Sequence, residues 1–117
     1  MDEITTGTRL RIYLSSTDKF EHQLLYEAII VEAKRQGIAG ATVFKGIMGY
    51  GQSSTINSQK FWEITEKLPI VIEIVDTQEK IIQFLRNTQS FFDKITKGFL
   101  ITSESVTIEL VREGKKH

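Results

Sequence analysis

From Arg9 to Leu14 the chain alternates: Leu10, Ile12 and Leu14 fall on one side, Arg9, Arg11 and Tyr13 on the other. Period-two alternation of this kind predicts a strand with one buried face. Ser15-Ser16-Thr17-Asp18 follows as a turn, and Asp18 with Glu21 has capping-box spacing, which predicts a helix start. Leu25, Ala28, Ile29 and Ala33 recur at helical spacing, and the helix is expected to run to Gln36 and stop at Gly37. A second strand is predicted over 41–47, and residues 61–67 are open between strand and loop. Pro69 introduces a third strand, Ile70 to Val75. Asp76 and Glu79 repeat the capping spacing ahead of a second helix, with Ile81, Leu85, Phe92 and Ile95 on one stripe and Lys97-Gly98 as its end. A last strand is expected at Val106 to Val111.

The order β-α-β-β-α-β is the split βαβ, or ferredoxin-like, arrangement. The expectation is an α+β sandwich: a four-stranded antiparallel sheet with two helices on one face, in a single domain. Residues 1–7 and 112–117 read as tails. The third strand, Ile70-Val71-Ile72-Glu73-Ile74-Val75, is apolar on both sides except at Glu73. A sheet with one wet face alternates more cleanly. A second subunit is therefore expected over the helix-free face, where Arg11, Tyr13 and Glu73 point and where Val71, Val75 and Val111 would otherwise form an apolar patch. The alternative is a monomer with Arg11 and Glu73 as an exposed ion pair.

Composition narrows the function. The chain has 117 residues, enough for one core without staples. It contains no cysteine, which excludes disulfides and thiolate metal sites. Lys+Arg and Asp+Glu are both 15, so the basic excess usual in duplex nucleic-acid binders is missing. His22 and His117 are the only histidines, and no metal site is expected from them. No run approaches the roughly 20 apolar residues that span a bilayer, and Met1-Asp2-Glu3 does not open a secretory signal. The expected compartment is the cytoplasm.

The segment Lys45-Gly46-Ile47-Met48-Gly49-Tyr50-Gly51, followed by Gln52-Ser53-Ser54, is the leading candidate for ligand chemistry. Glycines let a ligand approach the backbone, and successive free amides can cradle phosphate oxygens, with Lys45 adding a charge and Ser53 and Ser54 adding donors. The spacing is neither a Walker loop nor a dinucleotide fingerprint. A hairpin loop with a bulge at Gly46 explains the same glycines. Lys94-Ile95-Thr96-Lys97-Gly98 is a second candidate anion site, although lysines also suit a helix C-terminus. Phe61-Trp62 could stack on a base or pack on a neighbour. No nucleophile elbow appears, and the carboxylates are scattered.

Several stretches together resemble an uncharacterised PII-like family of bacteria and archaea. They are 9–14, Leu25-Tyr26-Glu27-Ala28, Gly37-Ile38-Ala39-Gly40-Ala41-Thr42-Val43, 46–51 and Leu68 to Asp76. The match covers about Arg9 to Val111. It implies a homotrimer with the sheets lining its centre and an adenine nucleotide in clefts between subunits. It also implies a signalling loop over residues 49–61 and a phosphate-contacting loop at Lys94 to Gly98. Some members are encoded beside fluoride channels, which suggests a membrane transporter or channel as partner. The chain lacks the signature of typical PII loops, and Tyr50 is not clearly equivalent to their modification site, so uridylylation and 2-oxoglutarate sensing are not implied. The implied role is a non-enzymatic regulator that binds AMP, ADP, ATP or cyclic AMP. The alternatives are an enzyme of small-molecule phosphate chemistry and a purely structural interaction module.

Overall fold

The computed structural model describes residues 4–51 and 67–114. Its elements, in order, are β1 (Thr5–Ser15), β2 (Lys19–Phe20), β3 (Gln23–Leu24), α1 (Leu25–Arg35), β4 (Gly40–Lys45), β5 (Pro69–Thr77), α2 (Gln78–Asn87), α3 (Gln89–Asp93) and β6 (Leu100–Ile108). β1, β4, β5 and β6 form one antiparallel sheet in the order β4-β5-β1-β6, the arrangement expected of a split βαβ fold.

The alternation read from the sequence has a direct structural counterpart. Leu10, Ile12 and Leu14 of β1 and Ile70, Ile72 and Ile74 of β5 are all buried, facing Leu25, Ile29 and Ala33 of α1 and Ile81 and Phe84 of α2. A β-branched residue at three of the four inward positions of β5, the fourth being Asp76, suits the pleated, packed surface. The other face of β5, from Pro69 through Val71, Glu73 and Val75 to Thr77, is half-buried.

Sequence and structure differ at several places. β1 begins at Thr5, inside the segment read as a tail, because Thr5 to Thr8 pair with β6 and Gly7 passes beneath Ile108 with no room for a Cβ. α1 starts at Leu25, not near Asp18: residues Lys19 to Leu24 form a small hairpin that turns at Glu21 (φ 56°) and carries His22. Asp18 is not a helix cap; its carboxylate accepts from the Ser15 amide at 2.9 Å. Asp76 is likewise committed elsewhere, to the amides of Ala39 (2.8 Å) and Thr77 (2.7 Å), and Thr77 caps α2 by accepting from the Lys80 amide. The second helix is broken at Thr88, whose hydroxyl donates to the Phe84 carbonyl at 2.6 Å and turns the chain into α3. Back-bonding of this kind bends helices.

The last strand is Leu100–Ile108, earlier than expected, and Val111 lies beyond it. The expected end of α1 holds. Gly37 (φ 79°) donates to Lys34 and Ile38 donates to Ala33, a Schellman stop.

Candidate functional site

The segment Lys45–Gly51 leaves the sheet at the end of β4, an edge strand. Its base is fixed by Pro69, the first residue of β5. The Gly46 amide donates to the Pro69 carbonyl at 2.7 Å, and a Cβ on Gly46 would lie 2.7 Å from the proline Cγ. A Cβ on Gly49 would lie 3.3 Å from the same atom, whereas one on Gly51 would meet nothing within 4 Å. The first glycine thus serves close packing of backbone on a ring. Its amide is already engaged, so any anion cradle begins at Ile47.

The other stem is tied as well. Ser16 donates its amide to the Leu68 carbonyl at 2.8 Å and accepts the Leu68 amide on its hydroxyl at 2.9 Å. Between these stems Ile47, Met48 and Tyr50 project, with 91%, 81% and 74% of their surface exposed. Ser53, Ser54, Phe61 and Trp62, and all of the 49–61 loop beyond Gly51, lie outside the described residues.

Lys94–Gly98 connects α3 to β6 on a firm footing. The Lys94 and Ile95 amides donate back to Phe91 and Phe92, Ile95 packs on the core, and Phe99 lies 5.4 Å from Phe92. Lys45, Lys94 and Lys97 are exposed.

The register places the two candidate segments relative to each other. Lys45 pairs with Ile70, Ile70 with Leu14, and Tyr13 with Leu100. Both segments therefore sit at the same end of the sheet, but at its opposite edges. With strands about 4.8 Å apart, three spacings separate them by roughly 14 Å. One chain does not bring Lys45 to Lys94 or Lys97.

The helix-free face carries Arg11, Tyr13 and Glu73 as expected. Arg11 donates through Nε to Glu73 at 3.1 Å and lies 3.6 Å from Glu104, which also lies 3.6 Å from Arg9. The hydrogen bond to Glu73 raises the pKa of Arg11, with the charges of Glu73 and Glu104 adding to it. The two arginines and two glutamates neutralise one another within the chain. One register row beyond them, Phe44, Val71, Tyr13 and Leu100 form an apolar band across all four strands. Phe44 and Leu100 join this band without standing out in the sequence, although Phe44 follows Thr42 at period two and so shares its face. At the opposite end a shallow trough of about 550 Å³ lies between the sheet and residues 109–111, with Arg9, Val75 and Val106 among its lining. Among the described residues there is no cluster of three or more potential metal ligands, and no helix is long and apolar enough to cross a membrane.

Residues 7–108 match the family DUF190, described as an uncharacterized group. The chain belongs to the DUF190 family. Relatives carry the name UPF0166. One from Aquifex aeolicus is 37% identical over 99 residues, which is 85% of this chain and 90% of the relative. Another, from Methanocaldococcus jannaschii, is 46% identical over 76 residues, 65% of this chain and 69% of the relative.

Among solved structures, a protein of Thermus thermophilus described as PII-like and signalling superposes with a TM-score of 0.62 at 21% identity, over 92% of this chain and 93% of that one. CPII of Thiomonas intermedia K12, a nitrogen regulatory PII-like protein solved with ADP, AMP and acetate, superposes with a TM-score of 0.62 at 17% identity, over 91% of each chain. The fold is PII-like.

Proposed function

We propose that this DUF190 protein is a regulatory, non-enzymatic PII-like protein. It binds an adenine nucleotide between copies of a homotrimer and signals through the loop over residues 49–61 to a partner such as a membrane transporter or channel. The observation that carries the reading is the placement of Lys45–Gly51 and Lys94–Gly98 at one end of the sheet and on opposite edges. Two copies set side by side bring the first segment of one chain against the second segment of the next.

In that cleft the amides from Ile47 to Gly51 face the phosphates, and Lys45, Lys94 and Lys97 neutralise them. Tyr50 offers an exposed ring for the base. CPII, of the same fold, binds ADP and AMP, which supports the adenine class. The ligand acts by differential contact with loop conformations, and it shifts the loop only as far as its affinities for them differ.

Titration calorimetry with AMP, ADP, ATP and cyclic AMP tests the reading. At least one should bind below high micromolar concentration without turnover; no heat from any of the four would remove the nucleotide from the account.

A further inference from the structure

The two most exposed large hydrophobic side chains among the described residues are neighbours, Ile47 and Met48. They stand just past the end of β4, on a stem held by the Gly46–Pro69 hydrogen bond and by the fit of Gly46 against the proline ring. Phe44 before them and Tyr50 after them, 51% and 74% exposed, extend the apolar stretch. Single apolar residues on a surface are ordinary, whereas a contiguous exposed run on a fixed stem points to a contact.

Lysines gather at the same end of the sheet. Lys45 precedes the tip on β4, and Lys67 adjoins Leu68, which is tied to Ser16 just beyond β1. Lys19 opens the β2–β3 hairpin, which the stacking of Phe20 on Phe91 at 4.1 Å brings against α3. Lys94 and Lys97 lie between α3 and Leu100, the register partner of Tyr13. The exposed acids here are Glu21, Glu27 and Asp93, while Asp18 is buried on the Ser15 amide. A chain of zero net charge thus sets these five lysines against three exposed carboxylates where its apolar tip projects.

A lipid surface fits both features. Apolar side chains enter the boundary below the headgroups, and lysines reach anionic phosphates through flexible stems. A protein groove could bury the tip too. It would have no use for cations carried on both edges of the sheet, roughly 14 Å apart, whereas a planar anionic surface meets them together.

We propose that this end of the molecule docks on anionic lipid, with Ile47 and Met48 entering the interface and the lysines on headgroup phosphates. The partner is the lipid itself, not a protein within the membrane. Lys19 and Lys67 lie outside the nucleotide cleft described above, so part of the cationic rim stays free when that cleft is filled. The docking needs no nucleotide, and its failure would leave the calorimetric reading standing.

Co-sedimentation with protein-free vesicles, in the absence of nucleotide, tests it. Wild type should pellet with vesicles of equal parts phosphatidylcholine and phosphatidylglycerol, stay in solution with phosphatidylcholine alone, and be released by salt. Ile47→Ser/Met48→Ser should weaken the partition about tenfold or more, because two side chains no longer leave water. Lys19→Gln/Lys67→Gln should weaken it by about fivefold for each lysine that reaches the surface. These side chains carry little of the fold, since Ile47 and Met48 are 91% and 81% exposed. Should the first pair fail to fold, Met48→Ser alone is read in the same way. Wild type left in solution with anionic vesicles overturns the proposal and leaves a protein as the occupant of the tip. Undiminished binding by the apolar variant overturns it as well, and so does equal binding to both kinds of vesicle.

Discussion

The carbonyl of Pro69 accepts from the Gly46 amide at 2.7 Å, and the ring of the same proline occupies the space a Gly46 side chain would need. Gly46→Ala should therefore be costly, on the scale of overpacking, about 1–3 kcal/mol. In a domain of this size each kcal/mol moves Tm by several degrees, on the order of 4–8 °C. Gly51→Ala, with nothing within 4 Å, should leave Tm nearly unchanged. Thermal unfolding of the two variants side by side checks the contrast.

Asp76 ties the start of β4 to the end of β5 through the Ala39 and Thr77 amides while only 6% exposed. Asp76→Ala leaves both donors without their acceptor, at a cost of about 1–3 kcal/mol. Denaturant unfolding should show a lower midpoint. A midpoint equal to that of the wild type would mean that water replaces the carboxylate without loss.

The hydrogen bond from Arg35 holds the Glu32 carboxyl below its ordinary value of 4.5, with Gln36 adding to the effect. A depressed carboxylate contributes stability above its unfolded pKa and loses it as pH falls through the folded one. Stability should thus decline from about pH 4.5 downward, and Glu32→Gln should flatten that limb by lowering stability slightly in the neutral range while leaving the acid end little changed. Unfolding midpoints measured between pH 3 and pH 6 read the difference.

The self-neutral row on the helix-free face makes a charge reversal informative. Glu73→Lys leaves three positive groups against Glu104 alone. If a second copy covers this face, the variant should lose mass in light scattering at low salt and regain it as salt screens the repulsion. A mass independent of both substitution and salt would leave the face uncovered.

The core was legible because β1 and β5 carry strict alternation and because Leu25, Ala28, Ile29 and Ala33 keep helical spacing. Helix starts were less legible. Asp18 and Asp76 satisfy the spacing of a cap, but spacing does not say which amides a carboxylate meets, and here a turn and a neighbouring strand claim them. The sequence pattern points to a last strand later than the real one because the helix-side residues of β6 after Ile101, namely Ser103, Ser105 and Thr107, are polar and exposed. That edge lies beyond the reach of α1 and α2, so its sequence carries no apolar stripe. The glycine segment was found by composition, yet its split from Lys94–Gly98 across the sheet follows only from the register.

An adenine nucleotide held by Lys45 of one copy and Lys97 of the next is the centre of the proposed function. The direct test is calorimetric titration with ADP of four samples: the wild type, Lys45→Gln, Lys97→Gln, and the two variants refolded together. Wild type should bind, each variant should bind more weakly, and the mixture should regain a minority of wild-type sites, because some clefts then hold both lysines. No binding by wild type, or undiminished binding by both variants, would contradict the account.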